Sequence, residues 1–133
     1  MTAIRPGDRF MLDCHVDRRI FETFRDVFQD RNPLHTDAAF AASKGFPGVV
    51  MHGNILGGFL SRLVGEQLPV KNVMIQSETI DFRRPVYLDD HLQLEAVVVG
   101  VHDSVGAFEL SFKFTNASGV KVASGTVLVG LLP

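Results

Sequence analysis

Between residues 108 and 115 the chain alternates strictly, with Phe108, Leu110, Phe112 and Phe114 apolar and Glu109, Ser111, Lys113 and Thr115 polar. A period of two puts all four apolar side chains on one face of a strand, which must be covered on that side and wet on the other. A lone strand of this kind is not stable, and the second half of the chain supplies partners: residues 73–82, 91–101 and 120–131 read as further strands. Turn signals separate them at Pro85, at Asp89-Asp90, over 103–106 and over 116–119. Their order implies a mostly antiparallel sheet.

The first half has the period of helices instead. Residues 8–13 suit a short first strand with Phe10 and Leu12 on one face. Asp17 stands where a helix N-cap would, before Ile20, Phe21, Phe24, Val27 and Phe28, which trace one face of an amphipathic helix. Pro33 stops that helix or follows its end. Asp37 can cap a short helix over 38–43, which Gly45 and Pro47 close. From Gly53 to about Gln67 the apolar set Ile55, Leu56, Phe59, Leu60, Leu63 and Val64 makes a wide continuous face, and Leu68-Pro69 ends it. Gly57 and Gly58 lie in its first turns. Each internal glycine costs a helix roughly 1 kcal/mol, so the pair predicts something packing or binding close to the backbone. This helix is the cover the sheet requires. The expectation is one α+β domain, residues 1–133, with a curved sheet wrapped on a central helix.

Composition closes off several functions. Of 133 residues, 46% are hydrophobic and 21% charged, and 13 basic against 15 acidic side chains leave a net charge of −2. The chain can bury a core, and charge-driven nucleic-acid binding is not expected. The single cysteine, Cys14, rules out an intrachain disulfide framework and speaks for a reducing, cytoplasmic compartment. Residues 1–6 lack the apolar core of a secretory leader. No apolar run approaches the roughly 20 residues of a membrane span. Metal binding is not expected either, because no cluster of ligand spacings is visible.

Two stretches can carry chemistry. The run 29–37 places Asp30 and His35 five residues apart across Asn32-Pro33, and the run 51–54 contains His52-Gly53. On a continuous helix a spacing of five would point the two side chains in different directions, whereas a proline turn can fold them together. An aspartate and a histidine on one water can move protons to and from it. By spacing alone, Asp30 could equally cap the turn and His35 be a structural histidine. Gly53 could serve as a packing glycine, and His52 could orient its loop through a backbone hydrogen bond. His15, His91 and His102 have no partner pattern and read as surface or structural residues.

The element Asp30-x-Asn32-Pro33-x-His35 resembles the signature of the (R)-specific enoyl-CoA hydratases, members of the MaoC-like dehydratases with the hot-dog fold. The resemblance continues through Phe40-Ala41, Phe46-Pro47-Gly48, His52-Gly53 and 82–87, and so spans nearly the whole chain. It implies reversible addition of water to a trans-2-enoyl thioester, giving the (R)-3-hydroxyacyl product. Asp30 and His35 would be the catalytic pair, oriented by Asn32, with the Gly53 N–H receiving the developing thioester oxyanion. Substrate-binding residues by the same resemblance would be Ser61 and Val64 for the acyl chain, together with His52 and Arg84. Arg83, Arg84, Arg62, Lys44 and Lys71 are candidates for coenzyme A phosphates. The only cofactor-like group would be the coenzyme A of the substrate, and the assembly a homodimer. One departure stands out: the family has a small residue and a glycine just before the aspartate, where this chain has Phe28 and Gln29. Other readings on the same scaffold are a dehydratase of acyl-carrier-protein thioesters and a catalytically silent thioester-binding subunit. A thioesterase fits less well, because the central helix carries only Glu66, near its far end.

Overall fold

A computed structural model describes residues 3–133, and in it the chain turns from strand to helices and back to strands as its periods require. The strands are β1 (Arg9–His15), β2 (Val73–Phe82), β3 (His91–His102), β4 (Ala107–Thr115) and β5 (Lys121–Leu131). They form one sheet in the order β1-β3-β4-β5-β2, every pairing antiparallel. The four apolar residues of the alternating stretch are all buried on β4, the strand at the centre of this order.

The helices are α1 (Arg18–Phe28), α2 (Pro33–Thr36), α3 (Ala38–Ser43) and α4 (Asn54–Arg62). Asp17 caps α1 as expected, its carboxylate accepting the Ile20 N–H at 2.8 Å. Asp37 does the same for α3, accepting from Ala39 and Phe40. Pro33 follows the end of α1, one of the two places expected for it, and itself begins the next helix. Helix α1 stops at Gln29, which adopts the left-handed conformation, and Asn32 then caps α2 with Pro33 in its first turn.

The long apolar helix is shorter than its periodicity suggests. Helix α4 ends at Arg62 and continues as a wider π turn over Leu63–Gln67. Ile55, Leu56, Phe59, Leu60, Leu63 and Val64 are nonetheless all buried, in one cluster with Leu94, Ala96, Val98, Phe108, Leu110, Phe112, Val127 and Val129 of the sheet. The sheet therefore lays its apolar face on α4, and what remains outside is the 16–52 segment that carries α1, α2 and α3. That segment holds most of the chemically distinctive residues.

Candidate active site

Two loops meet at the start of α4. Residues 29–37 leave α1 and form α2; residues 50–53 lead into α4. They are joined in both directions. The Val50 N–H donates to the Leu34 carbonyl at 3.0 Å, and His35 Nδ1 lies 2.7 Å from the Val50 carbonyl. In return His52 Nε2 lies 2.9 Å from the backbone carbonyl of Asp30. A carbonyl only accepts, so His35 carries its proton on Nδ1 and His52 on Nε2. The two imidazoles also stack, with centroids 4.0 Å apart.

This arrangement leaves His35 Nε2 with a free lone pair, and it brings Asp30 into reach. One ligand-type atom from each of Asp30, His35 and His52 lies within 4.8 Å of the others. The fold thus assembles a cluster of metal-ligating side chains that the sequence spacing did not reveal, because His52 is 17 residues from His35. Two of its four ring nitrogens are committed to carbonyls. His52 is buried beside Phe21 and Phe24, and its Nδ1 has no hydrogen-bond partner.

Asn32 acts through the backbone. Its side-chain oxygen accepts the Leu34 N–H at 3.0 Å, while its own N–H points to the Asp30 carboxylate at 3.3 Å. It therefore fixes the turn joining the pair. Gly53 precedes α4 immediately, and a Cβ there would come within 2.9 Å of the Phe82 ring, which would have to shift to admit it. The first N–H groups of a helix have no acceptor within it, and the dipole there favours negative charge.

Two clefts flank this point and share Asn54 and Ile55. One, about 450 Å³, is lined by His52, Gly53, Phe46, Phe82, Arg83 and Arg84 among others. The other, about 850 Å³, runs between α1 and α4 and includes Asp30 in its lining. Of the basic candidates, Arg83 and Arg84 lie in the first cleft and Arg62 in the second. Lys71 donates to the Glu66 carbonyl and Lys44 sits over the Phe40 ring, away from both. Ser61 is exposed and Val64 is buried in the core, and neither is among the residues lining the two clefts. His15 and His91 stack on each other across β1 and β3, apart from the site. Cys14 is no nucleophile: burial pushes its thiol up to about 12, and it stays protonated at neutral pH.

The walls were not legible beforehand. Asn54 and the α1 residue Phe24 carry no motif, and Phe82 entered only as the first residue of the 82–87 stretch. Phe28 was signalled as the last apolar residue of an amphipathic face and as a departure from the family pattern.

Comparison with known proteins gives the family and the fold. Residues 5–116 match the family described as MaoC like domain. The chain belongs to the MaoC-like family. An (R)-specific enoyl-CoA hydratase of Aeromonas caviae is 31% identical over 129 residues, 97% of this chain and 96% of that protein. The solved structure of the A. caviae (R)-hydratase involved in PHA biosynthesis superposes with a TM-score of 0.91 at 26% identity, covering 99% of this chain and all of that one (100%). A mitochondrial 3-hydroxyacyl-[acyl-carrier-protein] dehydratase of Arabidopsis thaliana is 24% identical over 127 residues, 93% of this chain and 75% of that protein. The hot-dog expectation is met: this MaoC-like domain has a single antiparallel sheet around a central helix, as its neighbours do. Among the described residues of the MaoC-like chain, no helix is long and apolar enough to cross a membrane.

Proposed function

We propose that this protein is an (R)-specific enoyl-CoA hydratase that adds water reversibly to trans-2-enoyl thioesters. The observation that carries the reading is the meeting of Asp30 with a His35 whose Nδ1 proton is held by the Val50 carbonyl, leaving Nε2 free to take or give a proton. Water held between the two groups loses a proton to the pair as its oxygen bonds to C3. The pair returns a proton to C2, and ends the cycle as it began it. Negative charge collects on the thioester oxygen, and the Gly53 N–H at the start of α4 is suited to receive it. Arg83 and Arg84, in the cleft that contains Gly53, suit the phosphates of coenzyme A. Nothing beyond this acid–base pair and water is needed, so the reaction calls for no separate cofactor or metal. The enzyme acts in the cytoplasm as a homodimer of the 1–133 hot-dog unit.

The Arabidopsis relative supports a second reading, a dehydratase of acyl-carrier-protein thioesters, since both substrates present the same acyl arm. Comparing crotonyl-CoA with a crotonyl carrier protein separates the two.

The deciding experiment is hydration of crotonyl-CoA, followed by loss of the enoyl-thioester absorbance. General acid–base groups contribute about 10²–10⁴-fold, so Asp30→Asn and His35→Ala should each lower turnover by at least about 100-fold. Because they share one water, the double variant should lose far less than the product of the single losses. Folded single variants with near-normal turnover would sink the assignment, and thiol release without hydration would indicate a thioesterase.

A further inference from the structure

The two imidazoles of the site are held in the way that metal-binding histidines are held. A histidine ligand characteristically donates its second ring N–H to a carbonyl or carboxylate, which fixes the ring and leaves the other nitrogen as an acceptor. His35 does this through Nδ1 to the Val50 carbonyl at 2.7 Å, and His52 through Nε2 to the Asp30 carbonyl at 2.9 Å. The nitrogens left as acceptors are His35 Nε2 and His52 Nδ1. The acid–base reading uses the first and has no work for the second.

His52 Nδ1 is the second, independent observation. His52 is 3% exposed, the one polar side chain so buried among the described residues, and its Nδ1 has no hydrogen-bond partner. A buried acceptor left unpaired is destabilising, and folded chains contain few of them. Around it the fold gathers a complete donor set: one ligand-type atom from each of Asp30, His35 and His52 lies within 4.8 Å of the others. Two imidazoles and a carboxylate suit a divalent transition metal such as zinc. Donors about 2.0–2.1 Å from tetrahedral zinc stand about 3.3 Å apart, so the cluster has only to tighten. Asp30 is free to do so, since it is exposed and its carboxylate accepts only the Asn32 N–H, at 3.3 Å. Phe21 and Phe24 pack on His52 and keep water from that side.

We propose that Asp30, His35 and His52 form a binding site for a divalent transition-metal ion of the zinc class, and that the bound ion switches the acid–base pair off. The inhibition, though not the binding, rests on the hydratase reading. An ion at His35 takes the lone pair that accepts the proton of water, and an ion at Asp30 neutralises the neighbouring carboxylate. The ion is an inhibitor here and takes no part in hydration.

The test titrates the chelator-stripped protein with zinc chloride by calorimetry and with cobalt chloride by visible absorbance. Zinc should bind at one ion per chain, and cobalt should show the absorption of a four- or five-coordinate site. Outer-shell partners of a metal are themselves worth about 10–100-fold in affinity, so losing a ligand in Asp30→Asn or His52→Gln should weaken zinc binding by at least about tenfold. His15→Gln, which alters the separate His15–His91 stack, should not. At a buffered free zinc concentration that fills the site, hydration of crotonyl-CoA should stop, and EDTA should restore it. Absence of binding overturns the proposal. So does a zinc affinity that Asp30→Asn leaves unchanged or that His15→Gln lowers. If His52→Gln fails to fold by circular dichroism, Asp30→Asn decides, because its side chain is exposed. A filled site with hydration unchanged or faster overturns the inhibition. A wild type that hydrates no enoyl thioester removes the hydratase reading, and the two titrations still decide the metal site.

Discussion

Gln29 sits in the left-handed region at φ 57°, ψ 31°, between the last turn of α1 and Asp30. An L-residue pays about 1–2 kcal/mol there, because Cβ crowds the following carbonyl. Glycine pays nothing there. Gln29→Gly should therefore raise unfolding stability by about 1 kcal/mol, visible as a higher urea midpoint at an unchanged slope. An unchanged or lower midpoint would mean that the Gln29 side chain makes up the backbone cost. In the sequence Gln29 reads only as a departure from the glycine of the resembled pattern. What it changes is a backbone dihedral, which no sequence pattern reveals.

Elements with a clean period were legible; the places where elements press on each other were not. The boundaries of β2, α3 and the start of β3 follow directly from alternation, capping aspartates and turn residues. The π turn after α4 has no such signal. Gly125 is another case. On β5, opposite Ile80 of β2, a Cβ would overlap the Thr79 carbonyl oxygen and come within 3.0 Å of the Phe112 ring. A strand glycine read in sequence suggests only a weak or bulged strand. In the fold it is the condition for β2 to lie on β5. Gly125→Ala should destabilise the protein by about 1–3 kcal/mol, the usual cost of overpacking, and chemical denaturation would measure it. A neutral result would show that β2 can move outward freely.

Across the whole molecule, β1 and β2 are the outer strands of the sheet. They differ: β1 buries Leu12 and Cys14, whereas no residue of the ten in β2 is buried, and Met74 and Phe82 are largely exposed. A long edge with apolar side chains is a template for pairing with another strand. Light scattering at micromolar concentration should give the mass of a dimer, with β2 paired to its symmetry mate in one continuous sheet. A monomer mass would contradict this. At this scale the meeting of Asp30 with His35 was foreseen from the motif, and the place of Gly53 before a helix from the apolar period. The contribution of His52 was not, because it works through a carbonyl and a stacked ring that only the fold brings near.

The two-way tie between the loops has a consequence for when order is acquired. Each loop holds the other: His35 grips Val50, and His52 grips the backbone of Asp30. Neither histidine can swing away without releasing a bond that fixes its neighbour. The His35 ring and the Asp30 backbone of the proposed pair are therefore fixed once, as the chain folds, and not again each time a substrate arrives. Binding energy from the thioester is then free to act on the reaction itself.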